Sequence, residues 1–155
     1  MEWLNTGIAP LKDLISYLHT QSRTNNVHRR QLIRELTNNL NVFKNGFLNN
    51  APYDPLIDLL SNEAVKEAIK ANFSFKRLRA GTIGPKQVFN DRNKKYIGWT
   101  TEKLVEKIDE KIEELRNIKR LNGGSVSTVK NNIPLMMSNL YFRMKLLADF
   151  IRSAG

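Results

Sequence analysis

Apolar residues return at every third or fourth position along four long stretches of this chain, and that period points to an all-α fold. Leu4, Ile8, Leu11, Ile15 and Leu18 make the first stripe. Leu32 or Ile33, Leu36, Leu40, Phe43 and Phe47 make the second, and Leu104, Ile108, Ile112, Leu115 and Ile118 the third. The last runs through Val126, Val129, Ile133, Met137, Leu140, Met144, Leu147 and Ile151. At 3.6 residues per turn each set falls on one face of a helix, whereas strands would alternate with a period of two.

The breakers agree with these boundaries. Gly7 and Pro10 make the opening of the first helix irregular, and Ser22 to Asn26 is a polar break before the second. Asn49-Asn50-Ala51-Pro52 ends the second helix. Asp54 before Pro55 reads as a helix start, its carboxylate capping an orphan amide. The short helix carrying Leu56, Leu59 and Leu60 bends near Ser61, where Ser61 or Asn62 caps a further stretch with Val65, Ala68 and Ile69. Thr100 or Thr101 caps the third long helix and Gly123-Gly124 ends it, while Pro134 either kinks or restarts the last.

No helix with a single apolar face is stable alone, so the stripes must share a core. The expected architecture is an antiparallel bundle of four long helices plus one short broken helix, forming one domain over residues 1–155, with a long irregular basic connection at 74–99. With 41% hydrophobic and 26% charged residues in 155, the chain has the composition of a folded domain. Cysteine is absent, which removes disulfides, thiolate metal sites and cysteine nucleophiles. The start, Met-Glu-Trp-Leu-Asn, is unlike a signal peptide. Asn131 to Phe142 falls far short of the roughly 20 apolar residues of a membrane span. A soluble, cytoplasmic protein without membrane contact is expected.

The charge is unevenly placed. Between Ser74 and Trp99 stand Lys76, Arg77, Arg79, Lys86, Arg92, Lys94 and Lys95 against the single acid Asp91, which accounts for six of the ten net positive charges. The helical period disappears there, and Gly81, Gly84, Pro85 and Gly98 break the segment. A connection this long in a compact domain is functional, disordered or hides a short element, here near Gln87 to Asn90. Phe73, Phe75, Phe89, Tyr96 and Trp99 are interleaved with its bases. Aromatics can stack on unpaired bases while cations neutralise phosphates; the same rings could equally pin the segment to the helices. The seven cations are the candidate anion-binding residues.

Other motifs carry less. Gly81-Thr82-Ile83-Gly84 is a Gly-x-x-Gly turn, but it lacks the spacing of a nucleotide-phosphate loop and the flanking strands of an RNA clamp, so an ordinary loop is expected. Arg23 and His28, separated by four residues, resemble the Arg-x4-His motif of the HEPN family of all-helical, metal-independent ribonucleases. The resemblance covers six residues. It implies RNA cleavage, with His28 as acid or base and Arg23 stabilising charge on the phosphorus, across a dimer. In that family the motif starts a late helix and a polar residue such as Asn, Asp or His commonly follows the arginine; here it lies between the first two helices, with Thr24 in that place.

His19 and His28 have no ligand-spaced partner, so neither a metal nor a cofactor is expected. Asn38, Asn39, Asn41, Asn45, Asn49 and Asn50 read as compositional bias, and Met136, Met137 and Met144 as core filler. The expected function is a non-enzymatic binding module that meets nucleic acid or an acidic protein through residues 76–95. The alternatives are a ribonuclease using Arg23 and His28, or an assembly element that forms a homo-oligomer or docks on another protein.

Overall fold

A computed structural model of the chain describes residues 8–154, with side chains described from Leu11 onward. The fold is all-α, with six helices among the described residues: α1 (Ile8–Gln21), α2 (Val27–Leu48), α3 (Tyr53–Leu59), α4 (Glu63–Lys70), α5 (Thr101–Leu121) and α6 (Ile133–Arg152). Leu4 and the opening around Gly7 lie outside the described residues. Pro10 falls in the first turn of α1, where its missing amide would have no intrahelical partner.

The apolar stripes meet as their spacing requires. Leu11, Leu14 and Leu18 of α1, Ile33, Leu40 and Phe43 of α2, and Leu104, Ile112 and Leu115 of α5 belong to one buried cluster, which runs from Leu11 to Ile151. Each such side chain removed from water contributes about 1.5–3 kcal/mol. Helix α6 lies at the centre, packed on α1, α2 and α5, and it is buried on several sides through Met137, Leu140, Tyr141, Met144, Leu147 and Phe150.

Local side chains set most boundaries. The Asn26 carboxamide oxygen accepts the Arg29 amide at 3.0 Å at the start of α2, and Thr100 Oγ1 accepts the Lys103 amide at 3.3 Å at the start of α5. Gly123 and Gly124 follow α5 with φ of +69° and +85°, a region that side chains with a Cβ avoid. Pro134 restarts rather than kinks: α6 begins at Ile133 behind the Asn132 cap, so Val126 and Val129 belong to the preceding loop despite their helical spacing.

The broken short helix is present as α3 and α4, separated at Leu60–Asn62. Asp54 does not cap it, because the cap position is Pro52. The Asp54 carboxylate instead accepts the Val126 amide and the Ser125 hydroxyl, both at 2.8 Å, and ties α3 to the α5–α6 loop. Asn39 departs from its reading as compositional bias. Buried on α2, it donates to the Ser61 carbonyl at 2.8 Å and accepts the Ser61 amide at 2.9 Å, which holds the bend between α3 and α4.

Candidate anion-contact surface

Residues 74–99 are ordered by three short 3-10 turns, Phe75–Arg77, Pro85–Gln87 and Asp91–Tyr96. The second of these overlaps, at Gln87 alone, the short element expected near Gln87 to Asn90. Phe75, Leu78, Ile83 and Tyr96 are buried and bind the segment to the helical core. An isolated antiparallel bridge between Thr82 and Thr100 closes it on itself, with the Ile83 amide donating to the Trp99 carbonyl at 2.9 Å.

That closure engages two of the four amides of the Gly-x-x-Gly turn. The Ile83 amide is used by Trp99 and the Gly84 amide by Gln87 Oε1 at 2.7 Å, so neither is open to a phosphate. Most of the interleaved aromatics also serve packing. Phe73 meets Phe75 edge-on at 5.6 Å, and Tyr96 meets Trp99 edge-on at 4.8 Å. Only Phe89 among the five rings is strongly exposed, at 73%, with Lys145 Nζ 5.2 Å from its centroid.

The seven candidate cations divide into three groups. Arg79 is a fastener: its Nε donates to the Phe150 carbonyl at 2.8 Å, it reaches the Ala80 carbonyl and Ser153 Oγ, and its guanidinium lies 4.2 Å from the Phe150 ring centroid. Arg92 does the same further along α6, donating to Ser138 Oγ at 2.8 Å and Asn139 Oδ1 at 3.1 Å over the Phe142 ring. Lys94 pairs with Asp91 at 3.2 Å, both exposed. Lys76, Arg77, Lys86 and Lys95 are exposed and have no carboxylate partner among the described residues.

Arg79 and Arg92 grip α6 near Phe150 and Ser138, about 18 Å apart along the helix at 1.5 Å per residue. Of the free cations, Lys76 and Arg77 stand on the turn packed against α5, whereas Lys86 and Lys95 stand on the two turns packed against α6. At one end, Lys76 and Arg79 share a surface hollow of about 260 Å³ with Gly81, Thr82 and Thr100 at the start of α5, where Glu102 forms one wall. The start of α2 adjoins this end: Arg29 Nε donates to the Arg77 carbonyl at 3.2 Å. Sequence reasoning missed Arg29, although its place in a helix first turn that has no acid was legible.

Arg23 and His28 are not joined by any hydrogen bond among the described residues. Arg23 is exposed, while the His28 ring lies 5.8 Å from the Phe73 ring and its buried Nδ1 has no hydrogen-bond partner. Among the described residues no three His, Asp or Glu side chains stand where they could share a metal ion. No described helix is long and apolar enough to cross a membrane. Comparison of the chain with protein-family models, curated proteins and solved structures found no match.

Proposed function

We propose that this chain is a non-enzymatic helical module that holds an anionic partner, nucleic acid or an acidic protein, against the 76–95 segment. The observation that carries this reading is the set of four exposed cations, Lys76, Arg77, Lys86 and Lys95, none with a carboxylate partner among the described residues. The segment is fastened to α6 by Arg79 and Arg92, so these charges are presented from an ordered base and little chain entropy is lost on contact. The contrast with α5 supports the same reading. There Lys107, Lys111 and Arg116 each pair with a glutamate three residues away, which is how a solvated helix face balances its charge.

The contact is electrostatic rather than stacking. Phe75 and Tyr96 are used in the core and Trp99 packs on Tyr96, leaving Phe89 as the exposed ring. The partner is thus recognised by its charge density, as phosphates or clustered carboxylates. The test is binding at low salt to duplex DNA and to polyglutamate, comparing the native chain with a variant in which Lys76, Arg77, Lys86 and Lys95 are all Ser. Arg79 and Arg92 are left intact because their loss would loosen the segment itself. Tight binding by the native chain and at least about tenfold weaker binding by the variant is the expected result. No binding to either polymer would rule the reading out.

A further inference from the structure

We propose that the hollow between α5 and α6 is a binding site for a small tetrahedral oxyanion, inorganic phosphate or a terminal phosphate group, with Arg143 as its chief ligand. Arg143 is only 6% exposed, yet no carboxylate among the described residues pairs with it. Its Nε donates to the Tyr96 hydroxyl at 2.5 Å, and this fixes the plane of the guanidinium. The two terminal nitrogens make no other hydrogen bond among the described residues, and Arg143 lines the hollow. A guanidinium this little exposed keeps only part of its hydration, and an anion at the hollow would compensate its charge.

The remaining walls are Lys111, Glu114, Leu115, Met136 and Asn139, around a space of about 70 Å³. One water needs about 10–15 Å³, so there is room for the three or four oxygens of an oxyanion but not for a sugar or base beside it. Asn139 is oriented for this. Arg92 can only donate, so the oxygen of the Asn139 amide faces it at 3.1 Å, leaving the amide nitrogen as a donor. Lys111 is paired with Glu114 at 2.9 Å, so that carboxylate is already engaged at the rim. Arg143, Arg92 and Lys111 against Glu114 leave the surroundings net positive, and a guanidinium with two free amino groups suits a planar pair of phosphate oxygens.

The site is distinct from the polyanion contact, since none of its residues is among Lys76, Arg77, Lys86 and Lys95. The experiment is calorimetric titration of the full chain with inorganic phosphate at constant ionic strength. Saturable binding is expected, weakened at least about tenfold in Arg143→Gln. Because Arg143 is buried and its replacement can unfold the chain, Asn139→Asp is the second variant. It keeps the bond to Arg92 while placing a carboxylate beside Arg143, and it should lose phosphate by at least the same factor. The variant with Ser at Lys76, Arg77, Lys86 and Lys95 should bind phosphate as the native chain does. A nucleoside monophosphate should compete, and a dinucleoside whose single phosphate is internal should not. Absence of saturable binding by the native chain, undiminished binding by Asn139→Asp, or equal competition by the dinucleoside would overturn the assignment.

Discussion

Glu35 does for the start of α4 what the adjacent cap residue does not. Asn62 turns its side chain away to Asp109, Glu113 and Arg116, and the Glu35 carboxylate arrives from α2 to accept the Ala64 amide at 2.7 Å and the Ser61 hydroxyl at 2.9 Å. Removing it in Glu35→Ala leaves those donors without their acceptor and should cost about 2 kcal/mol, read as a lower urea midpoint with an unchanged slope. The pH dependence follows from the same side chains. Burial outweighs these donors and raises the Glu35 carboxyl above its usual 4.5, and burial likewise raises Asp149. The folded chain therefore holds these protons more tightly, so that contribution is full below the unfolded values and is lost as pH rises through the raised ones. Glu113 has the opposite sign. Hydrogen bonds from Asn62 and Lys66 hold it at about 2, so its contribution is present above pH 4.5 and is lost as pH falls towards 2. Glu113→Gln should flatten the acid limb of the stability profile, and Glu35→Gln should reduce the loss above pH 4.5. Urea midpoints across pH 2 to 8 check both, and identical profiles for the two variants would contradict the assignment. None of this was legible beforehand, because Glu35 meets α4 from another helix and a local period carries no information about such a contact.

At the scale of the element, what could be read from the sequence was whatever one helix decides for itself. The stripe Leu104, Ile108, Ile112 and Leu115 is buried as its spacing demands, and Thr100 and Gly123 bound α5 through chemistry local to each end. Ile112 is 1% exposed, so Ile112→Asp puts an unpaired carboxylate into the shared core and should cost more than about 4 kcal/mol, abolishing a cooperative thermal transition by circular dichroism. Period alone misled at Val126 and Val129. They keep the spacing of α6 but precede its cap, and the loop that holds them is tied back by Asp54 of α3. Arg143 was overlooked for the converse reason. A cation between Phe142 and Met144, two residues before Lys145, was visible in the sequence, but its missing counter-charge appears only when α5, α6 and Tyr96 are brought together.

Across the whole molecule, the candidate surface was half legible. Composition located the excess of positive charge in residues 74–99, but it could not separate cations that fasten the segment from those that face solvent. Arg79 and Arg92 are used on α6 and Lys94 on Asp91, and that leaves the four on which the proposed function rests. A module that binds by charge releases counterions in proportion to the phosphates it neutralises, at a slope of about −0.9 in log affinity against log salt for each phosphate on duplex DNA. The most direct measurement is that slope for the native chain beside the variant with Ser at Lys76, Arg77, Lys86 and Lys95. The native chain should show about −3 to −4, and the variant should bind weakly with a slope near zero. Equal slopes in the two proteins would mean that the contact lies elsewhere.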